Sequence, residues 1–249
     1  MTTPILHATG SYRYLPAISA YSSGIAVEPD HAILGLSFAH AIPLAEGFRS
    51  IDRELEARGL PSQALAGVQL RSPAVMSPAV FAEFNATYLE LLDVRGLLVD
   101  GSSPLSRTNV VPVSGAPDEA ALHTAFVVVP SAGSSGDLVA AGSGEARGGL
   151  DPEHITAYGD TSPAGLRAKA DVVIDIMLER LEALGGDGHS PTEINVYTAY
   201  DVAELADIMD TRLPAVRWCG LHAYATRPPV DHIDFEMDVH RVSQWAVVD

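Results

Sequence analysis

The order strand, helix, strand, helix, strand, strand is written twice along this chain, and that repetition restricts the fold more than any single motif. In the first half, HAILGLSF (31–38) reads as a short apolar strand. Pro43 and Gly47 introduce a helix from about Leu44 to Arg58, with Phe48, Ile51 and Leu55 three and four apart on one face. Gly59 closes it. ALAGVQLRSP (64–73) reads as the next strand. Ser77-Pro78 then supplies an N-cap and a first-turn proline for the helix PAVFAEFNATYLELLD. After a loop at 94–103 come two apolar strands around a Gly-Ala-Pro turn, the first carrying Arg107 and the second His123.

SAGSSG (131–136) is the best linker in the chain, and after it the order begins again. DLVAAGSG (137–144) reads as a strand. Ser162-Pro163 caps a long helix (163–184) that spaces Leu166, Ala170, Val173, Met177, Leu181 and Leu184 at helical intervals. TEINVYTAYD (192–201) is a strand, VAELADIM (202–209) a short helix, and a strand led by Arg217 precedes the strand HIDFEMDVH (232–240). Residues 12–29, with Tyr21, read as loop or edge strand. The pattern predicts an α+β chain of two repeats, 1–130 and 131–249, each a mixed sheet with helices on one face. From the glycine closing the first helix to the arginine, the second copy (Gly185 to Arg217) is shorter than the first (Gly59 to Arg107), so it has lost most of its second helix.

Bulk properties narrow the partners. The 249 residues suit one large domain or two smaller ones, and 47% apolar content supports a real core. A formal charge of −17 opposes binding to phosphate backbones, so no nucleic acid is expected. The single cysteine, Cys219, excludes an internal disulfide framework and fits a reducing compartment. MTTPILHATG lacks the pattern of a secretory leader, and no apolar run reaches the roughly 18 residues of a membrane span. A cytoplasmic protein with no membrane partner is expected.

Several motifs carry a resemblance. AISAYSSG (17–24), the strand with Ser37, FNATY (84–88), Arg107 and the turn with Pro117 resemble the opening, serine strand, helix motif, arginine and proline turn of the RidA (YjgF) superfamily of enamine and imine deaminases. The second half is similar in layout through DLVAAGSG, the long helix, Arg217 and FEMD (235–238). A tandem chain of this kind also resembles the deaminases of 2-aminomuconate and its chlorinated relatives. The resemblance implies a chorismate-mutase-like α+β fold and a homotrimer or higher multiple with sites in clefts between repeats or subunits. It also implies hydrolytic release of ammonia from an enamine or imine acid, without metal or cofactor. Two departures stand out. The family glutamate falls at His123 in the first copy and Asp234 in the second, and the family cysteine falls at Asn109 and Cys219. The alternative is a non-catalytic small-metabolite binder using the same clefts.

On this reading Arg107 clamps the substrate carboxylate, since a guanidinium can give a carboxylate two parallel hydrogen bonds. His123 orients water, and a hydroxyl of Tyr21 or Ser37 transfers protons. Asn85, Asn109, Arg217, Asp234 and Cys219 complete the candidate binding set. Each has a plainer reading: Arg107, or Arg217 with Asp234, as an interface pair; Asn85 as an exposed helix position; His123 as a hydrogen-bonded interior residue; Tyr21 as edge packing; and Ser37 as a backbone-bonded strand residue. Nucleophilic chemistry at Cys219 has no supporting motif beyond His222. His232, Asp234, Glu236, Asp238 and His240 share one strand face and suggest a metal, but alternate strand residues lie about 6–7 Å apart. They read as a solvated face or a subunit contact. GSGEARGG (142–149) lacks the spacing and ending of a phosphate loop and reads as a turn.

Overall fold

The structure, a computed structural model, describes residues 2–202 and 205–248. Its first half contains β1 (Ile5–Leu6), β2 (Tyr12–Ile18), β3 (Tyr21–Val27), β4 (His31–Pro43), α1 (Leu44–Ala57), β5 (Leu65–Arg71), α2 (Pro78–Asp93), β6 (Ser106–Pro112) and β7 (Ala121–Pro130). The second half adds β8 (Leu138–Gly144), α3 (Pro163–Ala183), β9 (Glu193–Thr198), α4 (Leu205–Arg212), α5 (Val216–Cys219), β10 (His222–Arg227), β11 (Phe235–Arg241) and β12 (Gln244–Val248). The expected helix at 202–209 includes positions 203 and 204, which lie outside the described residues.

The three long helices α1, α2 and α3 begin where the sequence places them. The Ser77 and Ser162 side chains accept hydrogen bonds from the backbone N–H of Val80 and Gly165, each with a proline in the first turn. Twelve strands join in one mixed sheet, ordered β1-β2-β3-β8-β11-β9-β10-β6-β5-β7-β4-β12. Within it, β4-β7-β5-β6 and β8-β11-β9-β10 run in the same order, with the same antiparallel, antiparallel, parallel sequence of pairings. Because β3 also touches β6 through Ser22 and Ser106, the strands β3, β8, β11, β9, β10 and β6 return on themselves.

Two apolar cores lie under the helices. The stripe Leu166, Ala170, Val173, Met177 and Leu181 of α3 packs on Ile194, Val196, Phe235, Met237 and Val239. Phe48, Ile51 and Leu55 of α1, with Tyr88 and Leu92 of α2, pack on Val68, Leu70, Ala125 and Val127. Burying each of these large side chains is worth about 1.5–3 kcal/mol. The opposite face of β11 is polar and equally buried. Asp238 Oδ2 accepts from Thr108 Oγ1 at 2.6 Å, Gln69 Nε2 at 3.0 Å and Tyr197 OH at 3.1 Å, while Oδ1 accepts from Asn195 Nδ2 at 2.9 Å. His240 Nε2 lies 3.1 Å from the same carboxylate.

Four sequence expectations are corrected. Arg107 and His123 do not face each other across a hairpin, because β5 runs between β6 and β7. Arg217 is not on a strand. It sits in α5, and β10 begins only after Gly220 at φ 75°. The alternating row Glu236, Asp238 and His240 is not a solvated face, since all three side chains are buried in the interior. The segment 12–29, expected as loop or edge strand, forms the antiparallel pair β2–β3, and β3 lies inside the sheet between β2 and β8.

The segment between the halves is tied down. Asp137 is buried, and its Oδ2 accepts from Ile33 N at 2.8 Å, Ser243 N at 3.1 Å and Ser243 Oγ at 2.7 Å. Each half also lends a strand to the other: β3 lies against β8, and β12 runs parallel to β4.

Candidate active site

Arg107 is held at the start of β6 in a box of aromatic rings. Its guanidinium carbon lies 4.4 Å from the ring centre of Tyr21, 4.8 Å from Tyr88, 5.5 Å from Phe84 and 5.7 Å from Phe81. Three of these rings come from α2, whose spacing of three and four turns Phe81, Phe84 and Tyr88 toward β6. Asn85, on the same face, accepts from Arg107 Nη2 at 2.6 Å. Nη1 is buried without a hydrogen-bond partner. Burial lowers the affinity of this guanidinium for its proton, and Tyr21, Tyr88 and Glu236 oppose that effect. A buried cation with a free N–H, to which no carboxylate of the described residues is bonded, can serve as a preformed anion site.

Arg107 opens into a cavity of about 570 Å³ between the halves of the chain. Tyr21, Asn85 and Asn109 line it from the first half. Glu236 and Arg180 line it from the second, with Gly142 and Gly144 of β8 between them. Gly142 is needed there, because a Cβ would collide with the Glu236 carboxylate and press on Thr108. Thr108 Oγ1 fixes the Gly142 N–H at 2.9 Å, so the buried Asp238 network sets the backbone beside Glu236. Glu236 itself is held well above the usual carboxylate range, by burial first and then by the Asp238 and Glu145 carboxylates, with Arg180 and Arg107 opposing. Such a carboxyl group stays neutral at a higher pH than an exposed glutamate and can hold a proton there.

Arg180 reaches the cavity from α3. Its Nη1 donates to the carbonyl oxygens of Ala141 at 2.7 Å and Gly142 at 3.2 Å. Burial pushes its pKa down to about 10, against the pull of Tyr21, Glu236 and Glu179. Below the cavity wall, Lys169 Nζ donates to Glu145 Oε1 at 3.1 Å and Asp234 Oδ2 at 2.7 Å. Glu145 also accepts from the backbone N–H of Asp234 and Phe235, at 2.8 and 3.1 Å. This cluster fixes the entry to β11 and so the position of Glu236.

Of the residues singled out in the sequence, Arg107, Tyr21, Asn85 and Asn109 thus meet at one cavity. Asn109 Oδ1 accepts from Ser72 Oγ at 3.0 Å, and its Nδ2 has no hydrogen-bond partner. The others lie elsewhere. His123 bonds to Thr124 Oγ1 at 2.9 Å and is not a cavity residue. Burial and the nearby Arg71 push its pKa down to about 4, so it is neutral near pH 7. Ser37 lies on β4 between β7 and β12. Arg217 is exposed and paired with Asp210, Nη2 to Oδ2 at 2.7 Å. Cys219 follows it in α5, its thiol donating to the Gly220 carbonyl, and burial pushes its pKa up. Asp234 is committed to Lys169. Sequence reasoning missed Glu236 and Arg180. Glu236 was visible as an acid alternating with apolar residues in FEMD, two positions beyond Asp234, but its row read as a solvated face or a subunit contact. Arg180 sits in the last turns of the long helix, where its apolar stripe drew the attention and no motif marks the arginine.

Comparison with known proteins places this geometry in a family. The family model described as 2-aminomuconate deaminase CnbZ matches residues 4–246. The 2-amino-5-chloromuconate deaminase of Comamonas testosteroni is 37% identical, over the full length of both chains. The crystal structure of a chorismatase superposes with a TM-score of 0.54 at 12% identity, covering 96% of this chain and 79% of that one, which shows a shared fold. With the family model spanning nearly the whole sequence and a full-length relative at this identity, the chain belongs to the 2-aminomuconate deaminase family.

Proposed function

We propose that the cavity between the halves is the active site of a deaminase that hydrolyses the C–N bond of a 2-aminomuconate-type enamine acid. The observation that carries the reading is the pairing of Arg107, buried with a free Nη1, with Glu236, a carboxyl group poised to hold a proton. The family and the full-length relative support the same chemistry.

The substrate carboxylate next to the amino-bearing carbon binds Arg107 Nη1, and the diene lies along the apolar wall. Glu236 gives its proton to the carbon chain, either β to the nitrogen or at the vinylogous position. The nitrogen lone pair moves into the C–N bond, so the enamine becomes an iminium ion, and Arg107 holds the adjacent carboxylate in place. The Glu236 carboxylate then takes a proton from water as the water oxygen bonds to the iminium carbon. The resulting amino alcohol collapses: Glu236 gives the proton taken from water to nitrogen, the C–N bond breaks as the carbonyl forms, and the hydroxyl proton returns to Glu236 as ammonia leaves. Substrate and one water give a 2-oxo acid and ammonia, so the balance closes without an oxidant or reductant. Positioned proton transfer of this kind contributes roughly 10²–10⁴-fold.

The two halves are also read as copies of one ancestral RidA-like unit, divided near residue 131. The matching order and direction of β4-β7-β5-β6 and β8-β11-β9-β10 support that view. In this reading the copies are specialised, one supplying the carboxylate clamp and the other the proton carrier.

The deciding experiment is ammonia release from freshly generated 2-aminomuconate by wild type and Arg107→Ala. Turnover above the spontaneous rate in wild type, lost in a folded Arg107→Ala protein, is the expected result. Equal rates in both proteins would overturn the assignment.

A further inference from the structure

We propose that Arg180 is a second anion anchor in the same cavity, holding the far carboxylate of a linear dicarboxylate substrate. The inference deepens the deaminase reading and rests on it for the identity of the site. It follows from where the arginines and carboxylates of this wall have been placed. Glu179, the acidic neighbour of Arg180 in α3, is turned outward to Arg147, which donates to its two oxygens at 3.0 and 2.9 Å. Glu145 and Asp234 are taken by Lys169. Among the described residues, no carboxylate lies within ion-pair distance of Arg180, and its hydrogen bonds go to two backbone carbonyls of β8. A charged group is thus held against backbone, half-buried, at the border of the main cavity and a smaller one of about 320 Å³.

The cavity therefore carries two guanidiniums, one from each half, and no carboxylate of the described residues is bonded to either. Arg107 is boxed by rings, Arg180 is fixed by carbonyls, and the wall shared with them is apolar through Ile18, Val230 and Ile233. Two cations lining one cavity with apolar wall between its polar groups match a short chain with an anion at each end. A substrate with one carboxylate would leave the half-buried Arg180 guanidinium without an anionic partner, held by backbone carbonyls alone. The volume of about 570 Å³ falls within the usual range for small-molecule sites. Arg180 thereby separates six-carbon dienedioic acids from 2-imino acids with apolar tails.

The test uses two inert diene acids that differ in one carboxylate: muconate, with two, and sorbate, with one. Dissociation constants are measured by calorimetry for wild type, Arg180→Gln and Arg180→Lys, with thermal unfolding to confirm the fold. Wild type is expected to bind muconate at least 30-fold more tightly than sorbate. Arg180→Gln should bring that ratio to within about threefold, leaving sorbate affinity little changed, and Arg180→Lys should restore part of it. A purely structural arginine would weaken both ligands alike and leave the ratio intact. That result, or a wild-type ratio near one, would overturn the proposal. Should Arg180→Gln fail to fold, the wild-type ratio and Arg180→Lys still decide. Ammonia release is scored separately: muconate preference without turnover would sink the deaminase reading and leave the dicarboxylate anchor standing.

Discussion

Arg107 Nη2 donates to Asn85 Oδ1 at 2.6 Å, so a neutral amide holds a buried guanidinium that a carboxylate would ordinarily pair. The amide orients the cation without cancelling its charge. The protein carries the cost of an uncompensated buried charge, and substrate relieves it. Arg107→Met should therefore fold at least as stably as wild type, because an apolar side chain suits a site of four rings. Its kcat/KM should fall by about 10³ or more. Thermal unfolding and steady-state ammonia release on the same preparation check both parts.

Asn85→Ala frees the guanidinium to move among the rings. The lost charge-assisted hydrogen bond is worth roughly 1.5–3 kcal/mol. A drop of about 10- to 100-fold in kcat/KM is expected, with most of the change in KM.

Glu236 has a raised pKa, and the sign of its effect follows. The folded state binds its proton more tightly than the unfolded chain does. Its contribution is fully present below the unfolded value near 4.3 and is lost as pH rises through the folded pKa. Wild-type stability should therefore decline over that interval, and Glu236→Gln should flatten the decline. The same substitution should remove the basic limb of the kcat profile and lower kcat by about 10²–10⁴. Urea unfolding and rate measurements across a pH series test the pair of effects; a wild type and variant with parallel stability curves would count against a titrating Glu236.

Gly142→Ala places a methyl group against Glu236 and Thr108. Overpacking of this kind costs about 1–3 kcal/mol. Activity should fall further than stability, because the carboxyl group must move off the cavity wall. Comparing the urea midpoint with kcat separates the two.

Asp238 and His240 form a buried ion pair. Burial raises Asp238, but His240 and the surrounding donors outweigh it and bring its pKa to about 2. Burial lowers His240, but Asp238 and Glu193 outweigh it and bring its pKa to about 10. The Asp238 contribution is present above its unfolded value and lost as pH falls toward 2. The His240 contribution is present below 6.5 and lost as pH rises toward 10. Asp238→Asn should cost about 3–5 kcal/mol near neutral pH and remove both limbs of the stability profile, which denaturant titration at several pH values reads directly.

The elements were legible where local chemistry decides them. Ser77-Pro78, Ser162-Pro163 and the stripe from Leu166 to Leu184 fix their helices by capping and periodicity alone. Arg107 with FNATY was legible because the helix face and the strand residue pack locally on each other. What was hidden depends on pairings far apart in the chain. The period-two row Glu236, Asp238 and His240 looks the same whether its polar face meets water or another strand's Thr108 and Gln69. Arg217 looked like a strand residue because VRWCGLHAYA contains both helix and strand, and Gly220 alone marks the change. His123 stood where the resemblance implied a glutamate, but it does not line the cavity, whereas Glu236, far away in the chain, does.

The seating of β12 along β4 has a consequence for synthesis. Trp245 covers Gly35 so closely that a Cβ there would meet its ring, and the partner strands lie near opposite ends of the described chain. While the protein is being translated, β4 leaves the ribosome long before β12 exists, with one apolar edge open to other chains. That edge must be shielded or remain soluble until the partner strand arrives. Substitutions at Trp245 or Gly35 should therefore show up as lost yield of soluble protein rather than as altered chemistry in the molecules that finish folding.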